Sequence, residues 1–79
     1  MQGWNSSAQV TAAEEAYVAT EMERLDLICR RDRMEPDEYR RQLSAAWLRS
    51  VDALEALTVL RNAEASARLA RAAEALEPA

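Results

Sequence analysis

The chain has 79 residues and a net charge of −4, with no histidine, one cysteine (Cys29), one glycine (Gly3) and two prolines. That excludes an internal disulfide, a glycine-rich phosphate loop and a tetrahedral N/S zinc site built from one chain. It also makes free nucleic acid a poor partner, because duplex binding rests on neutralising phosphates.

Alanine, leucine, glutamate and arginine dominate, and all are strong helix formers. β-Branched residues are few and phenylalanine is absent. A sheet protein would need turn residues that this chain lacks. The fold class is therefore all-α. At this length one core rarely supplies more than about 3–5 kcal/mol, so a partner or a second copy is the expected source of further stability. No cofactor and no metal is expected. No basic region followed by an apolar run marks a signal peptide. No run of 18 or more uncharged apolar residues marks a membrane span. A cytoplasmic protein is the expectation.

Residues 1–10, MQGWNSSAQV, read as a polar, mobile arm. Trp4 stands out in it, either as part of a loose terminus or as an aromatic anchor for a partner.

Helix 1 is predicted over about residues 12–31. Thr11–Ala12–Ala13–Glu14 has the spacing of a capping box, and Glu14 and Glu15 suit the dipole of a first turn. Val18, Met22, Leu25 and Cys29 recur at 4-3-4 spacing and form one apolar face, flanked by Tyr17 and Ile28. Leu27 falls on the opposite side. Cys29 on that stripe reads as a core thiol, since no histidine is present to activate it. Met22 and Met34 read as packing.

A turn over 32–35 leads to helix 2, predicted from Pro36 to about residue 76. Proline fits the first helical position, and Asp37 and Glu38 follow in the dipole-favoured turn. Tyr39, Leu43, Trp47, Val51, Leu54 and Leu57 trace a stripe that continues as Ala65, Leu69, Ala72 and Leu76. Leu48, Val59 and Leu60 lie away from it, so the helix is apolar on several sides. Helix 2 is about twice helix 1, which would leave its second half uncovered. Asn62 could cap a separate third helix; without a break the helix runs to Leu76.

These features predict a helical hairpin completed by dimerisation, as in a four-helix bundle, or by docking on a larger complex. The expected oligomer interface comprises Trp47, Leu48, Val51, Leu54, Leu57, Val59, Leu60, Arg61, Leu69 and Leu76. Arg61 interrupts the stripe: either it takes a carboxylate from another helix and marks the register of that contact, as polar residues in helical seams do, or it is exposed at a helix bend.

Charge is uneven. Residues 1–29 carry one Arg and five acids (−4), residues 30–49 six Arg and four acids (+2), and residues 50–79 three Arg and five acids (−2). The hairpin tip is thus locally basic. Arg30, Arg31, Arg33, Arg40 and Arg41, with Trp4, are the candidate partner-binding residues. Asp26–Arg30, Asp37–Arg41 and Glu64–Arg68 are i,i+4 pairs that neutralise part of this charge locally. The carboxylate pairs Glu14/Glu15 and Asp37/Glu38 are explained by helix starts, so no enzyme is expected.

Residues 25–43, LDLICRRDRMEPDEYRRQL, resemble the short helical hairpin of the SHOCT family. Leu25 and Ile28 match its first helix end, Met34 its apolar turn residue, Asp37–Glu38–Tyr39 its second helix start and Leu43 the end. The resemblance covers about a quarter of the chain. It implies an interaction or oligomerisation module with no catalytic residues. A non-enzymatic interaction protein, acting as a small subunit or adaptor, is the leading expectation. A small inhibitor of a larger protein, of the kind mobile elements encode, is the alternative, and nucleic-acid binding through the basic tip is the second.

Overall fold

The computed structural model describes residues 6–76, which form an all-α hairpin. Helix α1 runs Ser6–Cys29, a 3-10 turn spans Arg31–Arg33, and helix α2 runs Pro36–Leu76. The described residues include no strand. The molecule is a rod 68 Å long and 21 × 15 Å across, consistent with roughly 60 Å for the 41 residues of α2.

Helix α1 begins at least five residues before the expected start at Thr11. Residues 6–10 are helical rather than a loose arm, and the Thr11–Glu14 box lies inside the helix. Val10 is half-buried, while Ser7, Ala8 and Gln9 are exposed. Trp4 lies outside the described residues.

The turn closes tightly. The Arg33 N–H donates to the Arg30 carbonyl at 2.9 Å, and the Met34 N–H to that of Arg31 at 3.3 Å. No described residue takes a positive φ, so this corner needs no glycine. Met34 is half-buried at the corner. Glu35 caps α2: its carboxylate accepts from the Glu38 N–H at 2.9 Å, the N3 contact of a helix cap.

Helix α2 is continuous through Asn62. Alanine, leucine, arginine and glutamate on both sides carry the helix across this residue, whose own propensity penalty is below about 0.7 kcal/mol.

The two helices are antiparallel. Arg49 meets Glu23, Ser50 meets Glu21, and Arg61 meets Glu14. The buried and half-buried positions of α1 include Val10, Ala13, Tyr17, Thr20, Arg24 and Leu27. Their spacing alternates three and four. In α2 the sequence Tyr39, Leu43, Ala46, Ser50, Ala53, Leu57, Leu60, Glu64 and Ala67 keeps the same alternation. A repeat averaging 3.5 residues is the signature of a coiled-coil seam.

This seam is not the one expected. Leu27, assigned by periodicity to the polar side, is 3% exposed and belongs to the core. Val18, Met22, Leu25 and Ile28 face outward instead, and the Cys29 thiol is exposed. Small residues decide the matter: Ala46 is 0% exposed and Ser50 4%. With Ala13, Thr20 and Ala53 they let the backbones approach along a strip where large side chains would hold them apart. Leu57, at 2% exposed, is buried inside the hairpin rather than on an outer interface. Because α1 starts early, it covers α2 as far as Ala67. Residues 68–76 are all exposed, so the uncovered part is shorter than half of α2.

Candidate functional site

The seam leaves many of the larger apolar side chains outside. Trp47 is 54% exposed, Leu48 63% and Leu69 72%; Val18, Met22, Leu25, Ile28, Leu54, Val59 and Leu76 are also exposed. Single exposed apolar residues are ordinary. A contiguous row of them marks an interaction site.

Part of the set is contiguous. An apolar groove between the helices is lined by Arg24 and Ile28 of α1 and by Leu43, Ser44, Trp47 and Leu48 of α2. One turn further, Val51, Leu54, Thr58 and Val59 line a second depression. Leu54 also lines a third, with Tyr17, Val18 and Arg61. Along α2 this outer stripe recurs as Trp47, Val51, Leu54, Thr58, Ala65, Leu69, Ala72 and Leu76. It is distinct from the inner seam and runs beyond the end of α1. Leu60 is half-buried toward the hairpin interior, and Val51 is half-buried at the edge of the outer stripe.

The opposite side of the hairpin is polar. Glu23, Asp26, Arg30, Gln42 and Arg49 surround Leu27 there. The Arg49 Nη2 donates to Glu23 at 2.7 Å, and Arg30 to Asp26 at 3.0 Å. Such exposed pairs contribute at most about 1 kcal/mol each. The contrast between the two sides makes the rod amphipathic as a whole.

One polar relay crosses from the seam to the apolar side. The buried Ser50 hydroxyl donates to Glu21 Oε2 at 2.6 Å, and Arg24 donates to the same oxygen at 2.7 Å. These two hydrogen bonds, the one from Ser50 foremost, hold the Glu21 carboxyl below the usual carboxylate range. The Arg24 guanidinium then lies over the Trp47 ring, 5.1 Å from its centroid, within cation–π range. Trp47 thus stands at the lip of the groove with Arg24 over its ring.

At the basic tip, the arginines are mostly engaged. Arg30 pairs with Asp26, Arg40 with Asp37, and Arg41 with Glu38 at 2.5 Å. Arg31 lies over the Tyr39 ring at 5.8 Å. Asp37 thus serves Arg40 rather than the expected Arg41, which takes Glu38 at the same i,i+3 spacing. The Gln42 amide and then Arg41 hold the Glu38 carboxyl below its ordinary value. The side chain of Arg33 is in no ion pair among the described residues. The expected Glu64–Arg68 pair forms at 2.6 Å.

Arg61 does bond a carboxylate from another helix, and that helix is α1 of the same chain. It donates to Glu14 at 2.7 Å. This exposed pair joins the two helices of the hairpin, and Glu14 serves as its acceptor instead of as a cap.

Among the described residues no group of three or more His, Cys, Asp or Glu could hold a metal ion, and no helix is long and apolar enough to cross a membrane. Sequence reasoning missed Glu21, Arg24 and Ser50. A serine spaced four residues from Ala46 and seven from Leu57 was the available signal for the small-residue seam. No family model matches the chain, and neither a curated protein nor a solved structure matches it.

Proposed function

We propose that this protein is a non-enzymatic helical interaction module, working in the cytoplasm, whose outer apolar stripe buries against other helices. The observation that carries the reading is the apolar bulk left outside. The hairpin closes on a seam in which Ala46 and Ser50 are buried beside Leu27 and Leu57, and it leaves Trp47, Leu48, Leu54 and Leu69 exposed. Apolar burial stabilises by about 25 cal/mol per Å², so covering such a stripe is a strong drive to associate. The resemblance of residues 25–43 to the SHOCT hairpin agrees with an interaction role.

The same surface would serve a subunit of a larger assembly or a small inhibitor that occupies another protein. The basic tip favours neither, since four of its five arginines have partners within the chain. The test is the concentration dependence of thermal unfolding. A protein that buries this stripe by association gains stability by mass action. A melting temperature that rises over a hundredfold concentration range supports the reading. A heat-stable, concentration-independent monomer contradicts it.

A further inference from the structure

We propose that Glu21 is a latch that ties the wall of the outer groove to the seam between the helices. Ser50 and Arg24 hold one oxygen of the ionised carboxylate, and Arg24 in turn holds the Trp47 ring. The latch belongs to the hairpin itself and stands whatever occupies the groove.

One atom makes the connection. Glu21 Oε2 accepts from the Ser50 hydroxyl at 2.6 Å and from Arg24 Nη1 at 2.7 Å. Ser50 is buried in the seam. Arg24 and Trp47 line the groove, and the guanidinium lies 5.1 Å from the ring centroid. Ser50, Glu21, Arg24 and Trp47 thus run unbroken from the seam to the groove wall.

The other polar contacts between the helices are different. Arg49–Glu23 and Arg61–Glu14 are direct pairs whose side chains are all about half exposed, so neither reaches a buried group. The side chains of Arg24 and Glu21 are only 26% and 33% exposed, and salt screens such a partly buried pair less. Among the described residues Arg24 is in no second ion pair.

The latch depends on charge. Hydrogen bonds to an ionised group are roughly twice as strong as neutral ones. Arg24 is the charged group that acts on Glu21 from α1, and α2 presents the Ser50 hydroxyl. Neutralising Glu21 leaves Ser50 an acceptor but removes the charge that holds Arg24. The guanidinium is then free to leave the ring, and Trp47 to turn out of the groove wall. Coupling between two sites is reciprocal. A group that draws Arg24 outward therefore weakens the closure of the seam at Ser50.

Quenching of Trp47 fluorescence by acrylamide tests this on a Trp4→Phe background, which leaves one tryptophan. The measurement is made at neutral pH in dilute solution, where association is least. Ser50 lies one turn from Trp47 on the same helix, so a direct effect must be told apart from one that travels through Glu21. A double-mutant cycle does so. Ser50→Ala is expected to raise the quenching constant in the parent chain. It is expected to raise it no further once Glu21→Gln, or separately Arg24→Met, has cut the line. Two backgrounds keep the test open if one variant loses its helical content, which circular dichroism reports. No change on Ser50→Ala in the parent overturns the latch. So does an equal rise in the parent and in a folded Glu21→Gln or Arg24→Met background.

Discussion

The hydroxyl of Ser50, buried between the helices, donates to Glu21 Oε2 at 2.6 Å. The two residues lie on different helices, and the bond joins them where the backbones approach along a small-residue seam. Replacing Ser50 with Ala removes one hydrogen bond and leaves Glu21 its contact with Arg24, at a cost of about 1 kcal/mol. Replacing Ser50 with Leu inserts bulk into a closed seam and costs more, about 1–3 kcal/mol. Urea unfolding followed at 222 nm measures both, and the order Leu worse than Ala is the expected outcome.

Acid reports on the same contact. The Glu21 and Glu38 carboxyls both titrate below their ordinary value in the folded chain. A lowered folded value means that the unfolded state takes up protons first, so stability falls as pH falls. Their contribution is complete above the ordinary carboxylate range and disappears as pH drops through the lowered folded values. The melting temperature is expected to fall between about pH 5 and pH 3. The fall is smaller in Glu21→Gln, which no longer titrates there. An identical acid profile in wild type and Glu21→Gln would remove Glu21 from the account.

Buried and outer leucines part company on truncation. Leu27 and Leu57 are in the seam, at 3% and 2% exposure, and each truncation to Ala is expected to cost about 2–5 kcal/mol. In a chain of this size that loss approaches the whole stability, so the melting temperature is the practical readout. Leu25→Ala, on the outer face of α1, is expected to change it little. Equal losses at Leu25 and Leu27 would contradict the seam.

Asn62 separates a continuous helix from a broken one. In the interior of α2, Asn62→Ala replaces a weak helix former with the best one and raises stability by less than about 0.7 kcal/mol. Had Asn62 capped a third helix, the same change would cost about 1 kcal/mol. The sign of the change in helical signal and melting temperature decides.

The hairpin was legible because helix signals are local. Pro36 with Asp37 and Glu38 marks the start of α2, and the missing glycines and prolines leave no other break before Leu76. The face turned inward was not legible, because a periodicity search follows bulk. Val18, Met22, Leu25 and Cys29 made the heavier stripe on α1, while Ala13, Thr20 and Leu27 made the one that packs. Small side chains leave little trace in hydropathy, yet they decide how closely two backbones approach. The start of α1 was missed because the Thr11–Glu14 capping-box pattern lies inside the helix, not at its start. Arg61 stood out in the sequence either as needing a carboxylate from another helix or as exposed by chance. That the carboxylate is Glu14 follows only from the antiparallel register.

The central claim is that the Trp47 face is buried by association and not by the hairpin's own fold. Sedimentation equilibrium of the wild-type chain beside Trp47→Asp, over a hundredfold range of concentration, tests it most directly. Trp47 lies outside the seam, so the variant is expected to keep its helical content. The account predicts a wild-type mass that rises above that of one chain, and a variant that stays at the mass of one chain throughout. A wild-type protein that remains at the mass of one chain across the range, with full helical content, would contradict it.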